Sequence, residues 1–270
     1  MKYEYFDIHS HLYFPDYDKD REEEIERMKK AKIGTIVIGT NFDSSQKAIE
    51  LVEKHENFFA CIGQHPEDLN ADSVFDERLK GLAQHKKVVA IGECGLDYFR
   101  LTENINSMKL IQKTVFEYHI DLAISKNFPL MLHIRPSKGT QDAYLDSLNI
   151  LEHHAKIVGG KLRGNAHFFA GNKEILERFL AIGFTVSFTG VITFTHDYDE
   201  LIKLTPLNMI MAETDAPFVA PVPHRGKRNS SLYMPEVVKR IAEVKNESLD
   251  KVKQALMANT IRQFNLVAQE

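Results

Sequence analysis

The side chains best suited to chemistry recur at the ends of short apolar runs. The first run closes in Asp7-Ile8-His9-Ser10-His11, and a strand continuing through it would put His9 and His11 on one face, because strand side chains alternate with a period of two. A His-x-His pair alone suits a surface or a satisfied core as well as a metal ion, so the other run ends decide its meaning. They read Gly63-Gln64-His65-Pro66, Gly92-Glu93-Cys94-Gly95-Leu96-Asp97-Tyr98, His133-Ile134-Arg135, His167 and Glu213-Thr214-Asp215. Strands buried on both faces are almost continuously apolar, so Glu93, His133 and His167 beside such runs carry a desolvation cost unless something charged compensates them. A metal does so directly. His9, His11, Glu93, His133, His167 and Asp215 form a nitrogen and oxygen set suited to Zn, Mn or Mg. A catalytic zinc takes about three protein ligands and keeps a position open for water, so this larger set points to two divalent ions, with a carboxylate such as Glu93 bridging them. Such a pair activates water and stabilises both the attacking and the leaving oxygen of a phosphoryl displacement.

The runs that must position these residues are strand-sized, at 3–8, 35–38, 58–62, 88–92, 130–134, 164–168, 184–188 and 209–213. Helix-like stretches alternate with them at 20–31, 44–55, 73–85, 104–126, 141–155, 173–181 and 196–204. The longest opens at Asn104, a residue suited to an N-cap, and Ile111, Val115, Ile120 and Ile124 recur near helical spacing. The segment 219–229 is too rich in Pro and Gly for an element interior, and two helices, 235–244 and 249–267, are predicted to finish the chain. Alternation of this kind implies parallel strands joined by helical crossovers. Eight strands without a break in composition predict an α/β chain folded as one closed (β/α)₈ barrel over residues 1–270, with an open doubly wound sheet as the alternative. In a barrel, catalytic groups collect at the C-terminal ends of the strands, where the candidate ligands lie.

Composition agrees with one soluble globular domain: 270 residues, 43% hydrophobic and 27% charged, with 14 Gly and 9 Pro. Disordered and fibrous classes are excluded. No apolar run approaches the roughly 20 residues of a membrane span, and the start, Met1-Lys2-Tyr3-Glu4-Tyr5, lacks the apolar core of a secretory signal, so a cytoplasmic location is predicted. Cys61 and Cys94 sit in apolar segments and read as buried thiols. A net charge of −4 disfavours non-specific coating of DNA, so a nucleic-acid partner would have to meet a local basic patch.

Taken together, the Asp-x-His-x-His start, Gly-x-His-Pro, Gly-Glu-x-Gly-Leu-Asp, the segment 129–135 around His133, His167-Phe168-Phe169-Ala170-Gly171, Glu213-Thr214-Asp215-Ala216-Pro217 and Arg225-Gly226-Lys227-Arg228-Asn229 resemble the TatD-type metal-dependent deoxyribonucleases. The resemblance covers nearly the whole chain, in order. That family is a branch of the amidohydrolase-like TIM barrels, and the resemblance implies that His9, His11 and Asp215 hold one metal, His133 and His167 the other, with Glu93 shared. Three departures stand out. Phe168 occupies a position where the family usually has a small residue, Ala170 one where Ser or Thr is commoner, and 136–140 lengthens the loop after His133. None removes a ligand; the loop bears on substrate preference.

Other residues have two readings each. Asp7 suits either orientation of a ligand or a polar contact deeper in the barrel. His65 suits contact with substrate or a metal-bound water, or shaping of its loop, and Asp97 suits capping or bracing of the loop after the fourth strand; both stay outside the metal shell. Arg135, Arg225, Lys227 and Arg228 lie on loops of the same barrel face, where they could grip phosphate oxygens or simply be solvated. Tyr13, Phe14, Tyr98, Phe99 and Phe218 flank those loops and suit lid packing or stacking on unpaired bases.

The reading is a hydrolase of DNA phosphodiesters using two divalent ions, with Asp215 and Glu93 in the chemistry; the DNA substrate, single-stranded ends and 3′ to 5′ polarity are implied by the resemblance. An amidohydrolase-type C–N or ester hydrolase on the same scaffold is the first rival, since fold does not fix function. A bridging lysine would favour it, and this chain has Glu93. A non-enzymatic metal-dependent nucleic-acid binder is the second, and it would not need so dense a ligand set.

Overall fold

The computed structural model describes residues 3–266. Eight strands form one parallel sheet in sequence order: β1 (Tyr5–Ser10), β2 (Ile33–Ile38), β3 (Phe58–Ile62), β4 (Val88–Asp97), β5 (Leu130–Arg135), β6 (Gly164–Ala166), β7 (Thr185–Phe188) and β8 (Ile210–Ala212). Just past β8 the chain returns to β1: the Asp215 N–H donates to the His9 carbonyl (3.0 Å) and the His11 N–H to the Ala216 carbonyl (2.7 Å). The (β/α)₈ barrel is thereby closed at its C-terminal mouth.

Helices α1 (Arg21–Lys30), α2 (Phe42–Glu53), α3 (Leu79–Leu82), α4 (Ile105–Lys126), α5 (Asp142–Val158), α6 (Lys173–Ala181) and α7 (Asp199–Leu204) occupy the crossovers, and α8 (Met234–Lys245) and α9 (Leu249–Phe264) follow β8. The period of two sorts β2 between two cores. Ile36 and Ile38 face a cluster with Ile8, Cys61, Ala90, Met131 and Met211, completed by Met257 and Phe264 of α9, while Val37 faces the helix ring. Each fully buried aliphatic side chain contributes roughly 1.5–3 kcal/mol. Cys61 and Cys94 are buried free thiols, and no helix among the described residues is long and apolar enough to cross a membrane.

Two strands depart from regular pairing at the mouth. On β1 the register shifts between Asp7 and Ser10, and on β4 between Ile91 and Cys94. Each shift puts an extra residue on the strand that carries a candidate ligand, His9 or Glu93, which is how a bulge re-aims a side chain. Gly92 and Gly95 make the β4 path possible. Both have positive φ, and a Cβ would meet the Met131 carbonyl oxygen at 2.3 Å or that of His133 at 2.2 Å.

Element boundaries differ from expectation where side chains compete with the backbone. The helix predicted at 73–85 shrinks to α3: the Asp76 N–H donates to Gln64 (2.7 Å) and the Asp76 carboxylate accepts the Arg78 N–H (3.0 Å), a side-chain contact that delays the start of the helix until after residue 76. Asn104 is left-handed, at φ 47°, with no side-chain cap. Asn41 instead caps α2 in a reciprocal box with Ser44. β4 runs to Asp97 rather than to Gly92, and residue 267, the predicted end of the last helix, lies outside the described residues.

Candidate metal centre

The strand ends bring His9, His11, Glu93, His133, His167 and Asp215 together, and Glu93 lies between them. Its Oε2 faces His9 Nε2 (3.4 Å) and His11 Nε2 (3.8 Å), whereas Oε1 faces His133 Nδ1 (3.1 Å), His65 Nε2 (3.4 Å) and His167 Nε2 (3.9 Å). Asp215 Oδ1 stands 3.6–3.9 Å from His11, His9 and His167. Its φ of 56° is left-handed, a conformation more accessible to Asp than to most residues. Ligand atoms converge in three groups: His9, His11 and Glu93; His9, His167 and Asp215; and His65, Glu93 and His133. The resemblance groups His167 with His133; here His167 Nε2 lies 3.9 Å from both Glu93 Oε1 and Asp215 Oδ1, so it borders both sides of the cluster.

Neighbours fix which nitrogen of each ring is available. His11 Nδ1 faces the Ile38 carbonyl at 3.1 Å, which only a donor can satisfy, so in the neutral ring Nε2 is the nitrogen with the lone pair, and it faces Glu93 and Asp215. His133 Nε2 lies 2.9 Å from Asp97, and His167 Nδ1 lies 2.9 Å from Glu213. Carboxylates behind histidines are the usual support of metal ligands. His65 differs. Its Nδ1 accepts the Glu67 N–H (3.1 Å), so Nε2 carries the hydrogen and presents a donor, not a lone pair, to Glu93. His65 is therefore part of the cluster while remaining outside the set of lone-pair donors.

The charges are tightly coupled. Burial would raise the carboxyl of Glu93, but the imidazoles of His65, His9 and His133 more than offset it and hold it well below the ordinary range. Asp215 is lowered likewise, burial being outweighed by His11, His167 and His9. Against their own burial, His133 is pushed up to about 9 by Asp97 and Glu93, and His167 to about 10 by Glu213, Asp215 and Glu93. His9 goes the other way. Burial first, and then the charge of His167, lower it, and neither of its buried ring nitrogens has a hydrogen-bond partner. A fully buried neutral imidazole with two orphaned nitrogens, flanked by two ionised carboxylates, fits a metal-binding site.

Two supporting residues were not assigned from sequence alone. Asp97, read as a loop brace, also receives the Phe99 N–H (3.0 Å), so it does both jobs. Glu213 carries a legible signal, standing two residues before Asp215 at strand spacing. It also receives the N–H of Phe168 (2.7 Å), whose φ of 45° explains the small residue usual there, since a bulky side chain makes that conformation costly. Asp7 does not touch an imidazole ring. Its oxygens accept from the His9 N–H, Thr214 and Ser231, and burial raises its carboxyl to about 6.

The basic residues separate into two kinds. Arg135 lies over the Phe99 ring (3.9 Å) and Arg225 over Phe194 (3.7 Å), while Lys227 is exposed. Arg228 corrects the expectation of a phosphate grip. Its guanidinium pairs with both oxygens of Asp20 (2.6 and 2.7 Å), donates to the Asp16 carbonyl and covers the Tyr17 ring, so its fork is occupied by the protein. Phe14 packs on His11 (centroids 4.8 Å apart) and Phe218 on Phe14 (5.9 Å), a lid over one side of the cluster.

Comparison with known proteins identifies the family. The family described as TatD related DNase matches residues 6–265. The chain belongs to the TatD family. Among TatD relatives, the Bacillus subtilis protein named "Uncharacterized metal-dependent hydrolase YabD" is 38% identical, covering 97% of this chain and 99% of its own. The "3'-5' ssDNA/RNA exonuclease TatD" of Pantoea sp. is 31% identical, covering 97% and 99%. The crystal structure of the TatD homologue YjjV from Escherichia coli superposes with a TM-score of 0.85 at 26% identity, covering 98% of this chain and all of that one (100%).

Proposed function

We propose that this TatD-family chain is a divalent-metal-dependent hydrolase that removes nucleotides from the 3′ ends of single-stranded DNA. The observation that carries the reading is the division of Glu93: one oxygen faces His9 and His11, the other faces His133 and His167. A carboxylate so placed is suited to two ions. His9, His11 and Asp215 would hold one, His133 and His167 the other, with Glu93 common to both. Bound divalent cations of the Mg, Mn or Zn kind supply an acidified water and neutralise charge on phosphoryl oxygens.

The chain's own groups supply the rest. Asp215, ionised and at the mouth, accepts a proton from the attacking water. Asp97 and Glu213 hold His133 and His167 in position. His65 presents its Nε2–H beside Glu93, where a substrate oxygen can accept it. Arg135, Arg225 and Lys227 meet phosphates. Few phosphate contacts and a net charge of −4 suit a terminus held at a barrel mouth better than a long duplex track. The polarity and the single-stranded substrate draw on the printed name of the Pantoea relative. The test compares 5′-labelled linear single strands, DNA and RNA, with a closed single-stranded circle. Stepwise shortening of linear DNA with an intact circle is expected; equal cleavage of the circle would refute end-acting hydrolysis.

A further inference from the structure

Cation–π contacts are common enough that most of them mean little. Seven involve the described residues here, and in five the cation is also satisfied elsewhere: Arg78 by Asp76, Lys109 by Asp142, Arg228 by Asp20, Lys253 by Glu4 and Lys87 by three backbone carbonyls. Arg135 and Arg225 are the other two, Arg225 making one long contact to the Ala220 carbonyl (3.4 Å). Among the described residues neither has a carboxylate within ion-pair distance, and each lies over a phenylalanine that stays exposed, Phe99 at 45% and Phe194 at 40%.

Both pairs stand on the barrel mouth, on either side of the candidate metal centre. Phe99 follows β4 and Arg135 ends β5; the Tyr98 N–H donates to the Arg135 carbonyl (2.8 Å), which locks the two strand ends together just beyond Asp97 and His133. Phe194 follows the short 3₁₀ turn Gly190–Thr193 after β7, and Arg225 lies on the loop after β8. There the Val222 N–H donates to Thr193 Oγ1 (2.9 Å), tying one loop to the other. These ties fix the loops that carry each pair, and each guanidinium carbon lies within 4 Å of its ring centroid. One side of each guanidinium is covered by its ring; Arg225 Nη1 also donates to the Ala220 carbonyl (3.4 Å), and among the described residues the N–H edges of both have no anionic partner.

We infer that Arg135–Phe99 and Arg225–Phe194 are platforms on which unpaired nucleobases stack, one on each side of the phosphate at the metal centre. The inference rests on the phosphodiesterase reading above and narrows its substrate. A planar cation backed by an aromatic ring offers a π surface that any base can cover, and edge N–H groups that the adjoining phosphate can accept. Only a polymer presenting free base faces and phosphates along one chain uses both features on both platforms. Bases in a duplex have their faces covered, so the platforms select a single strand.

The chain has no Trp, so Phe194→Trp and Phe99→Trp each install a single tryptophan, selectively excited beside the tyrosines, at an exposed site. Each metal-loaded variant is titrated with phosphorothioate oligothymidylate, which resists cleavage, and with an abasic phosphorothioate oligomer of equal length and charge. Quenching by the oligothymidylate and not by the abasic chain is expected, with about tenfold tighter binding of the base-bearing chain. Equal quenching by both chains, or none by either at both sites, would overturn the platforms. Cleavage of ordinary oligothymidylate by the unsubstituted protein is measured in parallel. Base-dependent quenching without cleavage would sustain the platforms and sink the hydrolase reading; cleavage without base-dependent quenching would do the reverse.

Discussion

His9 and His167 lie face to face, their ring centroids 3.5 Å apart and their planes 13° from parallel. The pair is electrically lopsided. His167 is held protonated by Glu213 and Asp215, whereas His9, fully buried, is held neutral with no hydrogen bond to either nitrogen. Two stacked imidazoles among ionised carboxylates form a cation site lacking a balancing charge at one ring.

Divalent metal should therefore stabilise the fold. At a hundredfold excess over Kd the gain is about 2.7 kcal/mol, read as a rise in the thermal midpoint on adding Mn²⁺ or Zn²⁺ to metal-stripped protein. His9→Gln should shrink that rise while leaving the metal-free midpoint little changed. An identical metal-induced rise in the variant would remove His9 from the site.

The carboxylates behind the histidines should matter nearly as much as the ligands. Asp97→Asn and Glu213→Gln keep shape and lose charge, and each should weaken metal affinity or turnover by roughly 10–100-fold. Calorimetric titration with the metal checks this. Affinities equal to the parent protein in both variants would show that the 2.9 Å contacts to His133 and His167 do not tune the site.

Asp215→Asn should leave the barrel folded, with an unchanged circular dichroism spectrum, and lower turnover by roughly 10²–10⁴-fold, since it removes the proposed proton acceptor and a negative ligand together. Parental rates with an unchanged pH profile would exclude Asp215 from the chemistry.

A buried histidine outside the cluster gives a pH test. His119 donates from Nδ1 to the Val115 carbonyl (2.7 Å) and accepts the Gln64 N–H at Nε2 (2.9 Å), which anchors the loop carrying His65. Burial lowers it from 6.5 to about 4. A histidine lowered on folding stabilises fully above its unfolded value and loses that contribution as pH falls from about 6.5 toward 4, a change of about 3 kcal/mol. Urea unfolding of the parent and of His119→Gln should thus differ in pH slope across this window, the variant being flatter. Parallel slopes would show that His119 is not buried neutral.

Much of this was legible in the residues. The eight strands and the ligands at their ends follow from apolar runs that stop at His, Glu or Asp, and a barrel gives such stops a common face. What was not legible is geometry set by neighbours distant in sequence. The bulge that aims Glu93 depends on glycines at 92 and 95 packing against β5 carbonyls, which no local period announces. Arg228 reads like Arg225 in sequence, yet Asp20, far away along the chain, claims it. Phe194 carried no signal because its partner Arg225 lies on another loop. The helix expected at 73–85 failed for a local reason, since Asp76 turns the chain with its own side chain.

On the proposed reading, Glu93 joins two divalent ions in one hydrolytic site. The most direct measurement loads metal-stripped protein and its Glu93→Gln variant with Mn²⁺, counts bound ions per chain by mass spectrometry, and follows shortening of end-labelled single-stranded DNA in the same samples. Hydrolysis by the parent protein should rise as the second ion binds, and Glu93→Gln should hold fewer ions and be slower by roughly 10²-fold or more. A variant that keeps two ions and full turnover, or a parent protein fully active with one ion or none, would contradict it.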